Sequence, residues 1–169
     1  MPCVCAEGSG FSPSQTHHLS FQPIFDLSTM DVKLTAQQVE DLIHLGFAAK
    51  KKMLGIEEVQ PGFVRTRLPY RDSMLRPGNV LSGPALFTAA DLTMYALVLS
   101  HVGPELMAVT ANFNMNFLSK AKPGDIIGEG KMLKLGRRLA VMETLLYSSA
   151  EPETLVAHVT GSYALPAKS

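Results

Sequence analysis

The stretch from Pro77 to Pro104 constrains this chain most: it carries a single formal charge, Asp91. Within it, Ser82-Gly83-Pro84-Ala85-Leu86-Phe87-Thr88-Ala89-Ala90-Asp91-Leu92-Thr93-Met94-Tyr95 leads into an equally apolar run to Ser100. The pattern predicts a helix from about Gly83 to about Ser100, apolar on nearly all sides and therefore buried all round. Ser82 suits the N-cap, and Pro84 suits the first turn, where its missing N–H has no helical partner. Burying a bare carboxylate in such a helix is costly, so Asp91 needs hydrogen-bond partners, a proton or a wet pocket. A carboxylate at mid-helix and free backbone N–H groups at the helix start are the parts that acyl-transfer chemistry uses. The run is long enough to raise the question of a membrane span. Its internal Thr88, Asp91, Thr93, Tyr95, Ser100 and His101, with no basic flanks and no aromatic belt, favour a core helix instead.

What surrounds this helix sets the fold class. At 169 residues the chain is read as one domain. Residues 1–29, rich in Ser, Pro and Gly, read as a disordered or loosely docked N-terminal extension, and 30–169 as the folded domain. Thr35-Ala36-Gln37-Gln38 is a capping box. Val39, Leu42, Ile43, Phe47 and Ala49 follow at helical spacing, with Gly55 as the expected stop and 50–52, three lysines, as a solvated last turn. Residues 56–70 suggest two short strands around Pro61-Gly62, and 71–81 a loop. Beyond Pro104 the period changes to two. In 108–117, Val109, Ala111, Phe113, Met115 and Phe117 take one face, and Thr110, Asn112, Asn114 and Asn116 the other. Strands are expected at about 126–134, 138–148 and 154–165, with hairpin turns at Leu135-Gly136-Arg137 and Glu151-Pro152-Glu153. In the last strand Leu155, Ala157, Val159, Gly161, Tyr163 and Leu165 share one face. The plan is α+β, an antiparallel sheet wrapped around one long apolar helix.

Charge and cysteines exclude several classes. Fifteen basic and fifteen acidic residues cancel, so neither a nucleic-acid footprint nor a polybasic membrane anchor is indicated. Cys3 and Cys5 are too close for an ordinary disulfide, and with no basic n-region or apolar h-region a cytoplasmic setting is expected. Cys3, Cys5, His17 and His18 match no standard metal spacing, nor do His44, His101 and His158, so no metal or redox cofactor is expected.

Several stretches together resemble the hotdog-fold thioesterases of the phenylacetate-pathway (PaaI-like) type. They are Arg76 to Asp91, Val109 to Leu118, Lys122-Pro123-Gly124-Asp125, Leu135-Gly136-Arg137-Arg138 and Ala157 to Tyr163. That family shows Asn-x-x-Gly-x-x-His-Gly-Gly and, about six residues on, an Asp in the helix. Counting back from Asp91, Ser82 stands at the His, Gly83 at the first Gly, Pro84 at the second, Arg76 at the Asn and Asn79 at the earlier Gly. The resemblance implies a hotdog fold and an acyl-CoA thioesterase. Asp91 would activate water or attack the thioester carbonyl directly, and the Gly83 N–H would receive the oxyanion. Thr110, where the family often carries Ser or Thr, would sit near Asp91 and orient the water.

Spacing adds a constraint of its own. Gly83 and Asp91 are eight residues apart, about 12 Å along a helix. One helix therefore cannot serve one carbonyl with both groups, and a homodimer with paired sites, or a dimer of such dimers, is expected. The alternative for Asp91 is a structural carboxylate bonded to Thr88 or Tyr95, its neighbours at i−3 and i+4. Substrate contacts are expected from Arg76, Asn79, Ser82, Tyr95 and Asn112, and phosphate contacts from Arg137 and Arg138. Hairpin-tip solvation and a hydrated strand face are the competing readings for the last three. The alternative function is a non-catalytic acyl or acyl-CoA binding protein on the same fold, motivated by Arg76, Ser82 and Pro84.

Overall fold

A computed structural model describes residues 29–47 and 53–167. The expected N-terminal extension, with Cys3, Cys5, His17 and His18, lies outside the described residues apart from Thr29, as do Ala49 and 50–52. Helix α1 spans Ala36–Gly46 and opens on the expected capping box. The Thr35 N–H donates to Gln38 Oε1 at 2.9 Å, and the Gln38 N–H donates to Thr35 Oγ1 at 3.4 Å. The helix stops at Gly46, earlier than expected from Gly55, because glycine is a poor helix former and the Phe47 N–H closes the last turn on Ile43 O. Gly55 instead begins the first strand.

The hairpin β1 (Gly55–Gln60) and β2 (Phe63–Leu68) turns at Pro61-Gly62, where Gly62 has φ 70°. The expected loop that follows contains a 3-10 turn at Asp72–Met74 and a short ladder of β3 (Leu75–Arg76) with β4 (Val80–Leu81). This hairpin ends at Ser82, directly before α2 (Gly83–Val102). Fourteen of the twenty α2 residues are buried. Four longer strands follow: β5 (Val109–Phe117), β6 (Ile126–Leu135), β7 (Leu139–Ser148) and β8 (Glu151–Ala164). The turn before β8 is Ser149-Ala150, and Pro152 lies inside the strand rather than in the expected turn. Register irregularities beside Leu146, Tyr147 and Ser148 accommodate it there.

The main sheet is wholly antiparallel, in the order β1-β2-β6-β7-β8-β5, and α2 lies across its inner face. This is the hotdog arrangement, a sheet wrapped around a long apolar helix. The close approach is built in at Gly128. A Cβ there would overlap Thr93 Oγ1 and come within 2.8 Å of Thr66 Oγ1. Those two hydroxyls bond each other at 2.7 Å, so the helix meets the sheet through a small polar contact set in an apolar core. The opposite face of the sheet carries half-exposed ion pairs, Arg65 and Arg67 to Glu57 at 3.0 and 2.5 Å and Arg67 to Asp125 at 3.1 Å. Such pairs solvate a sheet face and stabilise it little.

Among the described residues β5 ends up at the sheet edge, bonded only to β8. Its register skips one residue at Ala111: Thr110 pairs with Tyr163, and Asn112 pairs with Ser162. This bulge breaks the strict alternation expected for 108–117. Phe113, Met115 and Phe117 oppose the buried Gly161, Val159 and Ala157 and face inward, whereas Asn112, Asn114 and Asn116 face outward. Strict alternation would put Thr110 on the Asn face. The extra residue returns it to the inner face, opposite the buried Tyr163.

Candidate active site

Asp91 lies half-buried at the middle of α2. Neither of the neighbours weighed from sequence holds it. The Thr88 hydroxyl donates to Pro84 O at 2.9 Å, and the Tyr95 hydroxyl donates to Leu106 O at 3.3 Å. The carboxylate is held from the sheet. Thr110 Oγ1 donates to Asp91 Oδ1 at 2.8 Å, and the Tyr163 hydroxyl donates to the same oxygen at 2.7 Å. Tyr163 also lies 3.1 Å from the Asp91 carbonyl oxygen. Among the described residues Oδ2 accepts nothing. Burial pushes the Tyr163 phenol far above its usual range; the Thr110 hydroxyl opposes this and the negative Asp91 adds to it. Tyr163 is thus a neutral donor throughout the working pH range.

The bulge at Ala111 makes this three-residue contact possible, because it turns Thr110 and Tyr163 to the same side of paired strands. Tyr163 escaped the sequence reading as a site residue. Its place on the buried face of the last strand was legible, and a buried hydroxyl needs a partner, but that partner is 72 residues away. An aromatic column extends from it. Tyr95 stacks on Tyr163 at 6.1 Å, and Phe47 meets Tyr95 edge-on at 6.2 Å. Tyr95, expected at the substrate, therefore stands one ring behind the carboxylate.

The N-terminus of α2 is chemically open. Ser82 takes the N-cap position with extended backbone, but its hydroxyl makes no capping bond. The first amide tied into the helix is that of Leu86, which donates to Ser82 O at 3.1 Å. Pro84 has no N–H, so among the described residues Gly83 and Ala85 are the free donors of the first turn. Gly83 lies against the Phe117 ring, whose Cζ would stand 3.5 Å from a Cβ at that position. Ser82, Ala85 and Thr88 line a cleft of about 230 Å³ with Arg71 and Ser73, two residues not singled out from sequence. Arg76, the last residue of β3, and Asn79, in the turn that follows, are exposed beside this end of the helix but do not line the cleft. Asn79 is itself a turn residue, with φ 54°.

The remaining expected residues fall elsewhere. Arg137 and Arg138 line a wider cleft of about 790 Å³ at the opposite end of α2, with Lys33, His101 and Glu105. Asn112 is on the outer face of the sheet, away from Asp91. Among the described residues, no three His, Cys, Asp or Glu side chains come together in a way that would hold a metal ion.

The fold, an antiparallel sheet wrapped around a long apolar helix, defines a class, the hotdog-fold proteins. Comparison with known proteins agrees. A family model described as "Thioesterase superfamily" matches residues 78–154, which contain α2 with Asp91 and strands β5, β6 and β7. A candidate thioesterase of Silicibacter sp. TM1040 is 36% identical, with a TM-score of 0.74 over 81% of this chain and 95% of that one. The phenylacetic acid degradation protein PaaI of Thermus thermophilus, solved as a point mutant, shares the fold. It is 22% identical with a TM-score of 0.58, over 67% of this chain and 93% of its own. A Streptococcus pneumoniae hypothetical thioesterase, solved with coenzyme A, shares it at 21% identity and a TM-score of 0.63, over 77% and 98% of the two chains. The chain belongs to the thioesterase superfamily.

Proposed function

We propose that this protein is an acyl-CoA thioesterase in which Asp91 is the reactive carboxylate and the Gly83 N–H of a second subunit receives the oxyanion. The observation that carries this reading is the state of Asp91: half-buried, with Oδ1 bonded twice and Oδ2 accepting nothing among the described residues. In the reaction, Oδ2 takes a proton from a water whose oxygen adds to the thioester carbonyl carbon. The tetrahedral oxyanion collapses with rupture of the C–S bond, and the departing thiolate recovers the proton from Asp91. The products are a carboxylate and free coenzyme A, with one proton released to solvent. Direct attack by Oδ2 would give an acyl anhydride that water then opens. In single-turnover hydrolysis in ¹⁸O-water, label appearing in Asp91 identifies direct attack with the anhydride opened at the Asp91 carbonyl.

The layout of β5 supports a shared site. Within one chain Asp91 stands beside Thr110 at the start of β5, and Gly83 stands beside Phe117 at its end. β5 is an edge strand, and Val109, Phe117 and Leu118 are each more than half exposed. Two copies joined antiparallel about the middle of β5 bring the Thr110 end of one subunit to the Phe117 end of the other. Asp91 of one subunit then approaches the partner's Gly83, which resolves the separation of about 12 Å along a single helix. The coenzyme A bound to the Streptococcus relative supports an acyl-CoA substrate here, with Arg137 and Arg138 as candidate phosphate contacts.

A second reading, acyl-CoA binding without turnover, is favoured by one observation: Pro84 removes an amide from the helix terminus that would hold the oxyanion. One experiment decides between them. Hydrolysis is measured across short, long and aromatic acyl-CoAs for wild type and Asp91→Asn. Turnover by wild type, lowered at least about a hundredfold in the variant, is expected for a lost general base. Equal rates would remove Asp91 from the mechanism, and tight binding with no turnover by wild type would establish the second reading.

A further inference from the structure

The reading of Asp91 as the reactive carboxylate, with Oδ2 as the reacting oxygen, leaves open what keeps that oxygen free and aims it. Resting on that reading, we propose that Tyr163 is a positioning residue: together with Thr110 it occupies Oδ1 of Asp91 and reserves Oδ2 for the reaction.

A carboxylate oxygen offers about two lone-pair directions to donors. On Oδ1 both are taken, by Thr110 at 2.8 Å and Tyr163 at 2.7 Å. Oδ2 accepts nothing among the described residues, so the two oxygens are chemically unlike. The aspartate terminal torsion is broad and roughly two-fold, so an untethered carboxylate would exchange its oxygens freely. Two donors on one oxygen stop that exchange and fix the plane in which Oδ2 presents its lone pairs to water. Fixing a reacting group in its productive geometry is a large source of rate.

Tyr163 is itself held in place. Its ring is buried and stacks on Tyr95, whose hydroxyl is anchored on Leu106 O and whose ring meets that of Phe47 in a T-shaped contact. Its hydroxyl reaches both Oδ1 and the carbonyl oxygen of Asp91, so it spans the side chain and the helix backbone at one residue. The bulge at Ala111 gives the arrangement its second hydroxyl, by turning Thr110 to the same side. A tyrosine that only filled the core would require none of this alignment.

The test is Tyr163→Phe, which keeps the ring and its stacking and removes one donor from Oδ1. With kcat normalised to the folded fraction, we expect kcat to fall about ten- to a hundredfold, as for a lost hydrogen bond to a charged group, while KM stays within about twofold. Asp91→Asn is run beside it. Wild-type kcat in Tyr163→Phe with Asp91→Asn inactive overturns the role of Tyr163 and leaves that of Asp91 standing. Wild-type kcat in Asp91→Asn overturns both. A rise in KM with kcat unchanged overturns the proposal in favour of a substrate-contact role. Should the Phe variant not fold, fluorotyrosine at position 163 keeps the hydroxyl and alters only its acidity. A change in kcat of at least about twofold at constant KM then supports the role, and an unchanged kcat overturns it.

Discussion

At the scale of single residues, this structure turns on polar groups whose orientation is set by bonds to distant segments. Asp91 accepts at Oδ1 from two hydroxyls, one on β5 and one on β8. His101 is a second case. It is buried at the end of α2, and its Nε2 accepts from the Gly62 N–H at 2.7 Å. That bond assigns the remaining proton to Nδ1, which faces Leu97 O at 3.0 Å. Protonating Nε2 would set one N–H against another. Burial holds the imidazole below its ordinary value of about 6.5, opposed by the Leu97 and Gln60 carbonyls, with Lys33 adding to the lowering. The unfolded chain therefore takes up this proton first as pH falls. The contribution of His101 is intact above about pH 6.5 and is lost as pH drops from there through the lower folded value. Urea midpoints measured between about pH 8 and about pH 5 should decline across that window, and His101→Gln should flatten the decline.

At the scale of elements, local chemistry explains most of what forms. The capping box at Thr35 closes the start of α1, and its two reciprocal bonds satisfy amides that the helix leaves free. Thr35→Ala should cost about 1 kcal/mol, read as a lower denaturant midpoint at unchanged slope. β5 marks where local reasoning fails. Period-two alternation assigns the outward Asn residues and the inward Phe113, Met115 and Phe117 correctly, then places Thr110 on the wrong side. A bulge arises from how two strands register against each other, and one strand read alone does not encode it. Turn chemistry has the same limit before β8. Glu151-Pro152-Glu153 has turn composition, but Ser149-Ala150 makes the turn, because the register of β7 against β8 closes the hairpin earlier.

At the scale of the whole molecule, strand order decides which edges are exposed. β5 is first of the four long strands in sequence and last in the sheet, which leaves its outer edge unpaired among the described residues. If the site is shared, two inactive variants should complement each other. Asp91→Asn removes the carboxylate proposed to react, and Gly83→Pro removes the amide proposed to receive the oxyanion, at a helix position that accepts proline. In a heterodimer one of the two sites then has its wild-type Asp91 from one subunit and its wild-type Gly83 from the other. An equal, fully exchanged mixture should recover about a quarter of wild-type activity, since half the dimers are mixed and each has one intact site. No recovery, or a monomer by light scattering at micromolar concentration, would rule out the shared site.

By itself the sequence determined the long apolar helix, the strands around it and the identity of its one charge. Those follow from periodicity, capping and turn residues, which act over a few positions. Only the tertiary structure decided what that charge is bonded to. Thr110 and Tyr163 lie 19 and 72 residues from Asp91, and they converge on one oxygen because β5 and β8 pair with one extra residue between them. Among the described residues, the unpaired Oδ2, the unpaired edge of β5 and the proton on His101 likewise depend on contacts between distant segments. Such contacts form only when the sheet closes over the helix, so no local pattern in the chain specifies them.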